Sequence, residues 1–460
     1  MKRDWKISSL KTSLSKAASR RDFLKWSGTA AASSALVGAA RANVHVADDP
    51  TIRLALIGCG GRGSGAVKNA FSAPHGPVKL HAMADLFESR LNRSYQALNE
   101  TFADQVDVSD ERRFIGFDAY RHAIDCLRPG DIALLTAYSY CRPAHLEYAV
   151  EKGVNVFMEK PFAPDPVGLH RMLRAGELAE QKKLKIAAGL MCRHSVARQA
   201  MIEKIRNGEL GDILLVRAYR MDGGGRRLDK WNSKGSELLW QIRNRIHFHW
   251  IGSGHFIEYL IHQIDECCWI KDAWPVSAIG LGGRVPKDTS YGQNLDAYGI
   301  EYTFSDGTKA LVDCRGIPRC DHDFSTFVHG TKRAGQFSGN IHHATVHTYK
   351  DQRENPNNID WKAAEEPCTP WQAEWNVLLK KIRQDEPHNE TKRAVYTDMT
   401  SIMGRAAAHT GKIVTWDEVM NSNFQFVPDV DSLTLASPTP LPADAEGYYP
   451  LPIPGEWTEI

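Results

Sequence analysis

The chain has 460 residues, which at ~100–200 residues per domain gives two or three domains and a sizeable core. Its 42% hydrophobic, 24% charged and 9% aromatic composition excludes bulk disorder and collagen-like repeats. Lys+Arg 57 against Asp+Glu 55 leaves a net charge of +2, so there is no global basic field of the kind that binds nucleic acid. The nine cysteines are scattered and form no CxxC pair, which argues against a zinc ribbon or a full disulfide framework and leaves at most one chance bridge.

Residues 1–42 read as an address. Ser19-Arg20-Arg21-Asp22-Phe23-Leu24-Lys25 is a twin-arginine pattern, followed by a weakly apolar stretch from Trp26 to Ala40 and a small-x-small cleavage site at Ala40-Arg41-Ala42. The apolar run is too short and too rich in Gly, Ser and Thr for a span of ~20 residues, and no later segment qualifies either. A periplasmic or otherwise exported location is expected, with no membrane span.

Ile52–Ile57 is a short apolar run that ends in Gly58-Cys59-Gly60-Gly61-Arg62-Gly63. This G-x-G-x-x-G follows a strand and opens a helical stretch with Ala66, Val67, Ala70 and Phe71 at helical spacing, the context the motif requires. In such a turn Gly58 serves the reversal, Gly60 the close approach of a pyrophosphate, and Gly63 the packing of helix on strand. The phosphates then lie at a helix N-terminus, where unpaired N–H groups favour negative charge. A second strand over Val78–Ala84 ends in Asp85, which suits the ribose hydroxyls of NAD, while Arg90 leaves NADP open. Asp85 also reads as a helix cap before Leu86-Phe87-Glu88, and Cys59 as a small neutral filler.

More βα units follow. Strands are expected at 131–137, 155–158 and 184–189, with a helix over Ala144–Lys152. Strands alternating with helices predict a parallel sheet covered on both faces. Beyond Gly208-Glu209-Leu210-Gly211 the runs 213–219, 276–282, 297–304 and 308–314 predict a second, open sheet, with 324–328 and 344–349 as weaker strands. Ser305-Asp306-Gly307 joins two of these runs as a hairpin. Trp371–Gln384 and Lys392–His409 carry apolar residues at helical spacing. Beyond Val427, seven of the chain's 22 prolines fall in under 30 residues, which suits a tail that wraps the surface, reaches a neighbouring subunit or stays disordered.

The glycine turn, the Thr136 loop with His145 beyond it, Glu159-Lys160-Pro161 and the Glu258/His262/Asp265 helix together resemble the Gfo/Idh/MocA oxidoreductase family, over most of residues 51–420. The resemblance implies an α/β protein with an NAD-binding Rossmann domain over 51–190 and an α/β domain over 191–420 built on an open, largely antiparallel sheet. Residues 421–460 form the Pro-rich tail. It further implies NAD(P)-dependent hydride transfer at a hydroxyl carbon of a sugar, polyol or glycoside, and homo-oligomers joined through the open sheet. The same residues would also serve an NAD-dependent glycoside hydrolase that oxidises its sugar transiently.

The resemblance assigns the cofactor to Gly58, Cys59, Gly60, Gly61, Arg62, Gly63, Asp85, Thr136, Ala137, His145, Glu159 and Lys160. On position alone Lys160 reads equally as a surface lysine; the flanking Glu159 and Pro161 complete the family pattern and make it catalytic, at the carboxyl edge of the sheet where open α/β folds place ligands. Glu258, His262 and Asp265 lie at i, i+4 and i+7, on one helix face. His262 is the natural proton carrier, Glu258 stands where the family usually has Asp, and a solvated charged face is the alternative. No third cluster at metal-ligand spacing accompanies the trio, so no metal is expected. Arg193, His194 and Asp265 complete the set as substrate residues. Replacing Arg20 and Arg21 by Lys is expected to hold folded protein in the cytoplasm, as cell fractionation would show; normal periplasmic levels would remove the address.

Overall fold

The computed structural model of the protein describes residues 49–223, 227–285 and 290–460, so the address read over 1–42 lies outside the described residues. Six strands pair in parallel: β1 (Ile52–Ile57), β2 (Val78–Asp85), β3 (Arg113–Ile115), β4 (Ile132–Leu135), β5 (Asn155–Met158) and β6 (Ile186–Ala188). Their spatial order is β3-β2-β1-β4-β5-β6, the doubly wound arrangement. β4 and β5 are buried at every position, the mark of a sheet with helices on both faces. The order reverses between β1 and β4, and a crevice opens there at the strands' carboxyl ends.

The helix after β4 spans Arg142–Glu151, starting two residues before its expected first turn. Pro143 explains the shift, because a proline in the first turn lacks only an N–H that no helical carbonyl would have accepted.

Nine strands form the second sheet: β7 (Ile213–Asp222), β8 (Ser277–Gly283), β9 (Ala297–Thr303), β10 (Lys309–Gly316), β11 (Thr326–Gly330), β12 (Ala334–Ser338), β13 (His347–Tyr349), β14 (Ile359–Lys362) and β15 (Val414–Thr415). Their order is β14-β13-β12-β11-β7-β10-β9-β8-β15, and every neighbouring pair is antiparallel except β7 with β10. The expected hairpin joins β9 to β10 through Asp306 and Gly307, whose φ of +87° suits glycine. Helices Gly254–Lys271 and Thr391–Thr410 cover one face. The opposite face leaves Ile279 50% and Leu281 73% exposed.

The helix Gly254–Lys271 is buried at 16 of its 18 residues, including Glu258, His262 and Asp265. It packs against β7, β10 and the helix Thr391–Thr410, so its polar face is interior rather than solvated. The Pro-rich tail runs along its own chain. Its Phe426 N–H donates to Asp165 Oδ2 (3.2 Å) and its Gly455 N–H to the Thr410 carbonyl (2.9 Å). Glu459 ends buried against Arg405 and 2.8 Å from His409. All nine cysteines are free. Among the described residues no helix is long and apolar enough to cross a membrane.

Candidate active site

β1 ends at Ile57 and the chain reverses through Gly58, whose φ of +98° lies where side chains are strained. A Cβ on Gly58 would fall 2.3 Å from the Ala137 nitrogen, and one on Gly63 2.4 Å from the Gly58 oxygen. At Gly60 and Gly61 it would meet nothing within 4 Å. The turn is thus closed at both ends and open in the middle, at the head of the helix Gly61–Phe71, which has no side-chain cap. Its first N–H groups are therefore left for an anion.

Neighbouring side chains hold this turn. Thr136 Oγ1 donates to the Gly58 carbonyl (2.6 Å). Asp85 accepts from the Cys59 N–H (2.7 Å) with one oxygen and from the Phe87 N–H (2.8 Å) with the other, so it clamps the glycine turn; it does not cap the helix Glu88–Phe102, whose N-cap position is Phe87 and which has no side-chain cap. Burial pushes the Asp85 carboxyl up, and the same two N–H groups oppose the shift. Burial also pushes the Cys59 thiol well up, leaving it a neutral filler. His145 stacks 4.1 Å from Tyr120, and burial with nearby Arg142 holds its pKa down to about 3. It is an uncharged piece of wall.

The crevice has two ends of different character. One is walled by Gly58, Asp85, Phe87, Tyr140, His145 and Ile242, mostly apolar. The other is walled by Gly60, Gly61, Arg62, Arg142, Glu159, Lys160, Arg245 and Glu258. Gly60, Arg90, Thr136, Ala137 and Tyr138 border both. A flat apolar end, an open glycine turn and a charged end in succession fit a dinucleotide.

At the charged end Glu159 Oε1 pairs with Arg62 Nε at 2.7 Å. Lys160 Nζ donates to the Glu258 carbonyl and lies 3.7 Å from Glu258 Oε1, which Arg245 Nη2 holds at 2.8 Å. Fully buried Arg142 donates to the carbonyls of Leu135, Ala137 and Pro161. It thereby fixes the end of β4 against the loop that follows Lys160. His262 lies one turn beyond Glu258, and its Nδ1 has no hydrogen-bond partner. Burial, then the positive charges of Lys160, Arg220 and His342, hold its pKa well below the usual imidazole value. It is neutral at neutral pH and able to accept a proton.

Three residues read as substrate contacts are engaged elsewhere. Arg193 grips Asp265 with two bonds of 2.9 and 2.8 Å, and Asp265 also accepts from Thr397 (2.8 Å). His194 faces Glu390 at 3.4 Å. None of the three borders the crevice, and His262, one turn deeper than Glu258, lies behind its wall rather than on it. The reason is depth: a helix rises ~1.5 Å per residue, so Asp265 lies ~10 Å beyond Glu258 along the same face. Sequence reasoning did not single out Arg142, Tyr138 or Arg245. The one available signal for Arg142 was an arginine opening the helix just after the Thr136 loop.

The fold and crevice define a class: an α/β protein that joins a doubly wound parallel sheet to a second, largely antiparallel sheet. No family model matches the chain. Inositol 2-dehydrogenase 1 of Paenarthrobacter aurescens (strain TC1) is 25% identical over 168 residues, 36% of this chain and 44% of that protein. The Rhizopine catabolism protein MocA of Rhizobium meliloti is 23% identical over 263 residues, 56% of this chain and 70% of that protein. Among solved structures, scyllo-inositol dehydrogenase from Lactobacillus casei with bound NAD(H) and scyllo-inositol superposes with a TM-score of 0.59 at 18% identity, covering 80% of this chain and 99% of that one. The chain is thus similar over part of its length to these two proteins, and it shares the fold of the solved structure. It spans less than half the length of the inositol 2-dehydrogenase it matches.

Because Gly63 has no room for a Cβ and Gly60 has ample room, the two alanine variants should part company. Gly63→Ala is expected to destabilise the fold by ~1–3 kcal/mol, and Gly60→Ala by less than ~0.5 kcal/mol. Thermal melts of both check this; equal losses would contradict it.

Proposed function

We propose that the protein is an NAD(P)-dependent oxidoreductase acting on a CH–OH group of a sugar or polyol. The observation that carries this reading is Lys160 at the charged end of the crevice beside an open glycine turn, with a buried, neutral His262 behind it whose Nδ1 has no partner and which feels the Lys160 charge. A bound nicotinamide supplies the hydride acceptor or donor. Lys160 and His262 hold and pass the substrate hydroxyl proton, and Glu258 with Arg245 fixes the Lys160 ammonium in place. Asp85 at the end of β2 favours free ribose hydroxyls, hence NAD, because a second anion beside a buried carboxylate is repelled. The dehydrogenase names of the related proteins support this chemistry, and the glycoside-hydrolase alternative finds no support in them. Arg20-Arg21 supports export by the twin-arginine route.

The test is to denature the purified protein, identify any released dinucleotide, and screen polyols and free sugars for a change in nicotinamide absorbance. Lys160→Ala and His262→Ala should each cut kcat by ~10²–10⁴-fold while leaving dinucleotide bound. Oxidation needs neutral His262, so its rate should hold through neutral pH and fall only at a pH well below the ordinary imidazole value, as a pH–rate profile would show. Near-normal turnover in His262→Ala would end this reading.

We further propose that the open face of the second sheet joins a second copy of the chain, since Ile279 and Leu281 are exposed side by side with Glu301 and Gly299 on the neighbouring strand. Ile279→Lys combined with Leu281→Lys should then lower the molar mass measured by light scattering to that of one chain. An unchanged mass would exclude this face.

A further inference from the structure

The apolar end of the crevice is closed by a part of the chain that belongs to neither sheet. The helix Glu237–Arg243 supplies Ile242 to its wall, opposite Gly58 and Asp85. The guanidinium of Arg243 lies 3.9 Å over the Phe87 ring, two residues beyond Asp85. This helix has seven residues, too few to be stable alone, since isolated helices shorter than ~12 residues are marginal in water. Something else must hold it.

That support is the C-terminal tail. Glu237 Oε1 accepts from the Tyr449 hydroxyl (2.6 Å) and from the Ala443 N–H (3.0 Å). Gln241, with no solvent exposure, donates to the Leu441 carbonyl (2.6 Å) and accepts from Trp250 Nε1 (3.1 Å). The Tyr449 ring lies 4.8 Å from Phe248 and 6.2 Å from Trp240. The tail is itself tied at both ends, at Phe426 through Asp165 and at Glu459 through Arg405 and His409. A segment anchored twice thus presses the short helix against the crevice along its length.

We propose that the tail and the helix Glu237–Arg243 form a strap that keeps the dinucleotide bound between turnovers instead of letting it exchange with solution. The proposal rests on the dinucleotide reading above and adds to it how the cofactor is retained. Ile242 offers an apolar surface suited to a base. Tyr449 and Gln241 act only through the helix, as positioning residues. Retention would also suit the twin-arginine export proposed above, because the cofactor would then have to travel with the fold.

The experiment uses the full chain. Wild type, Tyr449→Phe, the double variant Tyr449→Ala with Gln241→Ala, and Leu435→Ala on the exposed side of the tail are loaded with NAD. Each is then passed into buffer with excess labelled NAD, and the rate of label uptake is recorded beside a thermal melt. Wild type and Leu435→Ala should exchange slowly. The double variant should exchange ~10-fold or more faster, the consequence of losing the Tyr449 bond to Glu237 and the Gln241 bonds to Leu441 and Trp250. Tyr449→Phe, which keeps the ring and loses only the bond to Glu237, should fall between and decides the matter if the double variant does not fold. Equal exchange rates in wild type and Tyr449→Phe, or fast exchange in wild type, would overturn the strap while leaving NAD binding intact. Failure of wild type to bind either NAD or NADP would instead remove the cofactor reading on which the strap rests.

Discussion

The helix Gly254–Lys271 carries charge with almost no access to water, since 16 of its 18 residues are buried. An unpaired ion in such surroundings costs several kcal/mol, so each acid on the helix must meet a cation. Glu258 takes Arg245 and Lys160, Asp265 takes Arg193, and Glu266 takes Arg198 at 2.8 Å. Those cations come from the short insertion before the helix, the end of β5, the turn after β6 and the helix Val196–Arg206. Satisfying one helix therefore ties the parallel sheet to the second sheet, and aims Lys160 at the crevice as a by-product. His262 needs no counter-charge because burial keeps it neutral.

The same constraint separates structural from chemical charge. Asp265 is saturated by Arg193 and Thr397 and sits deep in the interior, where its charge holds the fold together. Glu258 lies near the helix N-terminus at the edge of the crevice, where one carboxylate is shared by two cations. Arg142 plays the corresponding part on the parallel sheet. It is a buried cation that meets three carbonyls in place of a carboxylate, and so locks the Thr136 loop to the strand end that bears Lys160.

A third apolar cluster, distinct from the cores of the two sheets, joins Phe87, Tyr140, Ile242, Phe248, Trp250 and Tyr449. Its members come from the dinucleotide-binding half, the insertion and the tail. The crevice is consequently walled by residues as far apart in sequence as Cys59 and Glu258, and Tyr449 of the tail backs that wall through the cluster. Burial of those rings holds the proline-rich segment down, although its extended backbone offers few hydrogen bonds of its own.

Local pattern was enough for the parallel sheet and its glycine turn. Ile52–Ile57 and Asn155–Met158 are strands with the boundaries their apolar runs predict, because strands buried on both faces need unbroken apolar character and turns around them need glycine. The Asp306-Gly307 hairpin was legible for the same reason, since turn chemistry acts over a few residues, whereas the largely antiparallel order of the second sheet followed only from the family resemblance. Short strands such as Arg113–Ile115 and Ile359–Lys362 were not, since three or four residues carry no period. Nor could spacing alone tell which charged residues face the crevice. The i, i+4, i+7 pattern assigns Glu258, His262 and Asp265 to one face but is blind to depth, and the partners that make Arg193 and His194 structural lie 72 and 196 residues away. Whether the tail wraps its own chain was likewise open in composition. Tyr449 meeting Glu237, and Glu459 meeting Arg405, are contacts between distant segments that only the folded chain brings together.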